Sequence, residues 1–356
     1  VILLEEILRK AVNDGASDIF IIAGSPLSYK IQGSIVSMQM IEKLLPDSTS
    51  DLIEQIYKTA NRSEEKYKSS GDDDFSFSIA NLARFRINTY CQRGSRAAVI
   101  RVIPFSIPDY RELGIPKEVM EISGLFHGMV LISGTAGSGK STTQACIIDA
   151  INQKRQAHVV TLEDPIEYLH RNNQSIISQR EVSIDTKSYI SGLRACLRQA
   201  PDVILLGEMR DSETIQTAIT AAETGHLVIA TLHTKGAVNT IDRIIDSFPA
   251  NQQLQVRIQL SMVLDSVISQ QLLPAINGGM VPAVEIMKST PAIRNMIRDS
   301  KVYQIENAIQ TSNKLGMLSM DQSIMNLYKE KRITADVALE YAVNQEQMKR
   351  KLELEK

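Results

Sequence analysis

The 356-residue chain has three cysteines, five histidines and 5% aromatic residues, and its formal charge is only −2. Cys91, Cys146 and Cys196 are odd in number, far apart and never in a CxxC pair. That argues against a disulfide framework and a structural zinc site, and it fits a reducing compartment. A near-neutral chain without a basic strip interleaved with aromatics is a poor binder of nucleic acid or anionic lipid. No apolar run approaches the roughly 20 residues of a membrane-spanning helix; the most hydrophobic stretches, 19–23 and 203–206, have the length of strands. Val1 to Leu4 runs straight into Glu5 and Glu6 with no basic segment ahead, so it does not read as a signal peptide. Repeats and low-complexity tracts are absent, which sets aside solenoids and coiled coils. GxGxxG is absent too, which disfavours a dinucleotide fold. What remains is an ordinary globular mix, 43% hydrophobic and 22% charged, at a length suited to about two domains.

The first hundred residues mix helix and strand without regular alternation. Leu3, Leu4, Ile7, Leu8 and Ala11 recur at helical spacing, with Gly15 as the stop. Strand-like runs follow at 18–23, 27–32, 75–79, 83–91 and 97–103, with a helix near 51–60. This predicts a small α+β domain over 1–103. Pro104, Pro108, Gly114 and Pro116 mark 104–116 as a linker, with the hinge over 107–114, and a second domain fills 117–356. There strand and helix alternate: 129–133 before a helix from Lys140, then 159–162, 203–206 before 212–223, and 227–232 before a helix near Val238. The pattern predicts a parallel-dominated α/β sheet with helices on both faces. Beyond Asn251 the expectation is mainly helical, with helices over 254–272, 291–298, 321–329 and 335–344, and a charged tail from Glu346 that frays.

The sharpest signal is Gly134-Thr135-Ala136-Gly137-Ser138-Gly139-Lys140-Ser141, a complete GxxxxGK[ST] between the strand 130–133 and a helical run. Its backbone N–H groups are placed to face phosphates, with Thr142 closing the set of binding residues. Lys140 reaches the β and γ oxygens of ATP, and the Ser141 hydroxyl is a ligand for Mg²⁺. The apolar strand 203–206 ends in Gly207-Glu208, where such a core presents a carboxylate to the metal or the attacking water, so Glu208 is the candidate base. An alternative is a plain ion pair with Arg210. The strand 158–162 runs into Glu163, Asp164 and Glu167. Glu163 is the candidate to share water activation, and Asp164 or Glu167 to serve the metal or the structure. His233, after the strand 227–232, stands where it would sense the γ-phosphate, with a structural histidine as the bland alternative. Arg84 and Arg86 share a strand face and Arg101 lies in the next strand. They are either phosphoryl-transfer cations from a neighbouring subunit or domain, or an ordinary face that is solvated or paired to Asp72, Asp73 and Asp74.

With these elements in sequence, the chain resembles the type II and type IV secretion ATPases, most closely the twitching-motility (PilT) group of type IV pilus retraction motors. The resemblance spans nearly the whole length. It rests on the Walker A loop 134–141, the acidic box Thr161-Leu-Glu-Asp-Pro-Ile-Glu167, Ser178-Gln-Arg-Glu-Val182, the Walker B stretch 201–211, the histidine box 224–234, and Thr290-Pro-Ala-Ile-Arg-Asn-Met-Ile-Arg298. The departures are Gly-Thr-Ala-Gly for the usual Gly-Pro-Thr-Gly, Ala200 where an acid is common, and Phe20 where a histidine is common. The resemblance implies a PAS-like N-terminal domain before a RecA-like P-loop core. It also implies a homo-hexameric ring in which Arg86 and Arg101 complete the ATP site, and ATP hydrolysis that drives pilus disassembly and retraction. The implied location is cytoplasmic, peripheral to the inner face of the membrane. An inner-membrane platform protein is the implied partner, a paralogous motor ATPase a further one, and nucleic acid is not expected. Within the superfamily the rival is a pilus-assembly or type II secretion ATPase, disfavoured because the four-cysteine zinc insert is absent. A RecA-like nucleic-acid translocase is disfavoured by the charge, and a non-hydrolysing regulator by the presence of Glu163 and Glu208.

Overall fold

The computed structural model describes residues 3–31, 34–38, 43–103 and 105–355. It divides into two compact units, Val1–Ser106 with Glu167–Leu169, and Ile107–Ile166 with His170–Lys356.

In the first unit α1 (Leu4–Asn13) buries the stripe Leu4, Ile7, Leu8 and Ala11 that its spacing foretells. Strands β1 (Asp18–Ile21), β2 (Ser28–Ile31) and β3 (Ser34–Ser37) precede α2 (Pro46–Thr59) and α3 (Glu65–Ser70). Then come β4 (Asp72–Ile79), β5 (Ala83–Gln92) and β6 (Ser95–Ile103), and the sheet order is β3-β2-β1-β6-β5-β4, antiparallel throughout. β5 alternates cleanly: Ala83, Phe85, Ile87 and Thr89 face the core, while Arg84, Arg86 and Asn88 line the half-exposed face. The exposed strand β3 and the short α3 are not announced by the sequence, because neither carries an apolar period.

The second unit starts inside the breaker-rich segment, which is more ordered than proline density alone suggests. α4 (Tyr110–Leu113) is capped by Asp109, and Ile107, Tyr110 and Leu113 pack against the core. After α5 (Lys117–Met120) the alternation runs β7 (Gly128–Ser133), α6 (Lys140–Lys154), β8 (His158–Glu163), β9 (Ile176–Glu181), α7 (Tyr189–Cys196), β10 (Val203–Leu206), α8 (Ser212–Glu223), β11 (Leu227–Leu232) and α9 (Ala237–Asp246). The five strands from β7 to β11 pair in parallel. Both faces are covered: Met129, Leu131, Ile204 and Leu206 pack under α7 and α8, while Val130, Ile132, Val203 and Leu205 pack under α5 and α6. This is the expected α/β core.

One expectation fails from residue 264. α10 (Ala250–Val263) ends there, and the predicted helix over 254–272 gives way to β12 (Leu264–Pro274), which returns through Gly278 and Gly279 as β13 (Met280–Lys288). β12 lies parallel to β7 and antiparallel to β13, completing the order β13-β12-β7-β11-β10-β8-β9. A strand buried on both faces shows no period of two, so Val267-Ile268-Ser269-Gln270 is indistinguishable from a buried helix by pattern alone. The hairpin leads to α11 (Pro291–Arg298), α12 (Ile305–Thr311), α13 (Met320–Lys329), α14 (Ala335–Tyr341) and α15 (Gln345–Leu354). α15 corrects the fraying tail: Met348 and Leu352 are buried with Leu273, Val281 and Ile324. Among the described residues no helix is long and apolar enough to cross a membrane.

Candidate active site

The P-loop follows β7, buried along its whole length, and opens α6. Lys140, only 8% exposed, donates from Nζ to the carbonyls of Gly134 and Thr135, each at 2.9 Å. The ammonium therefore staples the two ends of the loop that must curl around phosphates. Ser141 and Thr142 sit half-buried in the first turn of α6, where the N–H groups and the helix dipole favour an anion.

Glu208 stands just past β10 with its carboxylate held from two sides. Oε2 accepts from the Arg210 guanidinium at 2.8 Å and Oε1 lies 3.3 Å from His233 Nε2. The other ring nitrogen of His233, Nδ1, is 3.5 Å from Lys140 Nζ. An ammonium only donates, so the tautomer that satisfies both contacts accepts at Nδ1 and donates from Nε2 to Glu208. His233 thus links the P-loop lysine to the candidate base. Burial works against the charged form of Glu208, but Arg210 and then His233 outweigh it and hold the carboxyl below its usual range. The ion pair with Arg210 weighed from sequence is present, and it coexists with the histidine contact.

Glu163, the last residue of β8, accepts from the Thr161 hydroxyl at 2.6 Å and from Gln179 Nε2 at 3.2 Å. The strand ends bearing Glu163 and Glu208 approach closely because residue 207 is glycine. A Cβ there would lie 2.9 Å from the Tyr189 hydroxyl, 3.2 Å from the Leu162 carbonyl and 3.3 Å from Glu163 Cα. Gly207 N–H donates to the Leu162 carbonyl at 2.7 Å, and the Thr231 hydroxyl donates to the Gly207 carbonyl. Asp164 and Glu167 are exposed.

Arg86 and Arg101 belong to the first unit, not to the elements that carry the P-loop. They are directly opposed across β5 and β6, and Arg101 pairs with Asp18 at 3.0 Å. The acidic run beside them has other commitments: Asp73 binds Arg62 and Lys66, and Asp74 accepts from Asn88.

A Walker A lysine, a histidine and a strand-end glutamate thus lie in one chain of contacts. The model of the type II/IV secretion system protein family matches residues 1–345. The chain belongs to that family. The type IV pilus retraction ATPase PilT of Pseudomonas aeruginosa is 43% identical over 340 residues, 95% of this chain and 98% of that protein. A twitching motility protein of Neisseria gonorrhoeae is 44% identical over 307 residues, 85% of this chain and 82% of that protein. The crystal structure of the pilus retraction motor PilT with bound ADP matches at a TM-score of 0.88 and 45% identity, covering 98% of this chain and all of that one.

Several residues around this secretion-family site escaped sequence reading. Arg210 had been seen only as a bland partner. Gln179, Thr161 and Thr231 have no role assigned from sequence, although all three lie inside stretches that carry the resemblance. Gln270 lies on β12, within the helix expected over 254–272, and Glu285 on β13, the strand that pairs with it. Glu285 on β13 accepts from Ala237 N–H at 2.8 Å. It borders a cavity of about 700 Å³ together with Glu306 and Glu340. Burial raises its pKa more than the Ala237 N–H lowers it, and Glu306 adds to the rise. A carboxyl whose folded pKa lies above its unfolded one favours folding when protonated. That contribution is full below the unfolded value and is lost as pH rises through the folded value. Glu285→Gln keeps the oxygen that Ala237 needs and removes the titration, while its amide turns toward the Met320 N–H from which the carboxylate also accepts, a loss that does not vary with pH. The difference in melting temperature between variant and wild type is expected to move in the variant's favour by a few degrees from pH 4 to pH 8, about 1 kcal/mol. Thermal scans across that range check it, and a constant gap would reject the assignment.

Proposed function

We propose that this chain is an ATP-hydrolysing motor that works as a homo-hexameric ring and drives disassembly and retraction of a type IV pilus. The observation that carries the reading is the contact line Lys140, His233, Glu208 at 3.5 and 3.3 Å, set in a fold shared with the ADP-bound retraction motor. Lys140 and the N–H groups of 134–142 bind the phosphates. Glu208, ionised and oriented by Arg210 and His233, accepts the proton of the attacking water, with Glu163 beside it. His233 sits where arrival or loss of the γ-phosphate charge alters its hydrogen bonds on both sides, which makes it the sensor.

Among the described residues no group of three or more His, Cys, Asp or Glu side chains is arranged to hold a metal. The Ser141 hydroxyl, half-buried in the first turn of α6, is an oxygen donor of the kind Mg²⁺ takes beside substrate phosphates. Ser141, with Asp164 as the carboxylate candidate, would hold it, and Mg²⁺ would supply neutralisation of phosphate charge.

Arg86 and Arg101, two guanidinium groups opposed across neighbouring strands, are the cations proposed to complete the site in the ring. The partner is an inner-membrane platform protein, with a paralogous motor as a further one, and the place of action is the cytoplasmic face of that membrane. Turnover measured alongside solution mass tests this. The wild type is expected to hydrolyse ATP as a six-copy assembly, and Arg86→Ala with Arg101→Ala to lose at least tenfold in rate while the P-loop still binds nucleotide, as loss of a trans arginine does. A wild-type monomer that binds ATP without turnover would reduce the reading to a binding switch.

A further inference from the structure

The strand β12 presents different groups from its two faces, and each touches one wall of the nucleotide site. On one face Gln270, 4% exposed, accepts through Oε1 from the Thr143 hydroxyl on α6 at 2.7 Å. The Gln270 side-chain amide also presses on the P-loop from outside, since a Cβ at Gly139 would lie 2.7 Å from its Nε2, while the backbone of β12 closes on the start of the loop, where a Cβ at Gly134 would meet the backbone carbonyl of Gln270. Both loop glycines have positive φ, +147° at Gly134 and +86° at Gly139, so neither position takes another residue without strain. On the other face Ser269 accepts from Gly236 N–H at 2.8 Å, and its cross-strand partner Glu285 accepts from the next amide, Ala237 N–H. These two amides stand three and four residues after His233.

From this arrangement we infer that Gln270 is a positioning residue for the phosphates: it fixes the P-loop against β12, and through β12 against the segment that carries His233. The inference rests on the ATPase reading of the site. Gln270 touches no phosphate. It acts by holding α6 through Thr143 and by filling the space behind Gly139, so that the N–H groups of the loop stay aimed inward. A polar side chain buried on the strand face next to Ile268 is costly unless its hydrogen bonds are used, and here one is used on the helix that the P-loop opens.

The test uses the full chain and a fluorescent ADP analogue as probe. Gln270→Ala and Thr143→Val are each expected to weaken ADP binding about tenfold, as small misplacements of aligned groups do. Because the two share one contact, the double variant should bind little worse than either single one. Gln271→Ala removes the neighbouring amide, whose Nε2 donates to the Tyr341 carbonyl at 3.3 Å, and should leave ADP affinity unchanged. A merely structural role for Gln270 would lower the melting temperature of the nucleotide-free protein and leave affinity alone. Affinity within twofold of wild type in both single variants, or full additivity in the double one, would overturn the inference. Should Gln270→Ala not fold, Thr143→Val reads the same contact. A wild type that binds no ADP would remove the ATPase reading together with this inference, whereas a wild type that binds normally beside indifferent variants removes only the inference.

Discussion

Glu208→Gln is expected to bind ATP about as well as the wild type and to turn it over at least about a hundredfold more slowly, the usual scale for losing a general base. The substitution is nearly isosteric and leaves Lys140 and the loop amides untouched, so the ground-state complex survives. What it removes is the charge that Arg210 at 2.8 Å and His233 at 3.3 Å are arranged to orient. The carboxylate is held below its usual pKa range, so it remains ionised at neutral pH and ready to accept a proton. The amide has one acceptor oxygen for two donors, and its NH₂ turns toward one of them, which costs further alignment. Single-turnover hydrolysis with equilibrium binding measured in parallel separates the two effects. Turnover near the wild-type rate would remove Glu208 as the base and shift attention to Glu163, already oriented by Thr161 and Gln179.

The second large effect is expected at Lys140. Its ammonium donates to two carbonyls of its own loop, so truncation deletes the cation that neutralises phosphate charge and also the staple that keeps the loop curled. Lys140→Ala should abolish the nucleotide-induced rise in melting temperature, which for a ligand at a hundred times its Kd amounts to about 2.7 kcal/mol of stabilisation. Lys140→Met restores the buried stem without the charge and separates packing from electrostatics. If Lys140→Met regains the rise, packing of the stem and not charge dominates binding.

How far these sites can be read without coordinates depends on sequence separation. Lys140 and its carbonyl partners lie within six residues, so the motif and its geometry are one local object. Glu208 and His233 are legible because parallel strands present their C-terminal ends on one side of a sheet, and apolar runs such as 203–206 and 227–232 can be recognised as strands. The contact of Thr143 with Gln270 spans 127 positions, and no local pattern announces it. Local pattern is silent also because β12, buried toward both faces, imitates the continuation of α10. The one available hint was chemical: two glutamines and a glycine pair between apolar stretches suit a hairpin better than a long helix. In the first unit the alternation of β5 was legible, whereas β3, made of Ser34, Ile35, Val36 and Ser37 with every residue exposed, offers no face to count.

The cysteines that excluded a disulfide framework also differ sharply in reactivity. Cys146 and Cys196 are buried, and desolvation pushes both thiols up to about 11. At neutral pH the thiolate fraction of each is therefore on the order of one in ten thousand, and only the thiolate attacks an electrophile. Cys91, on β5, is exposed. A maleimide dye added to the native wild-type chain will go to Cys91 well ahead of the other two thiols, so the first unit already carries a single addressable point for fluorescence work without any substitution.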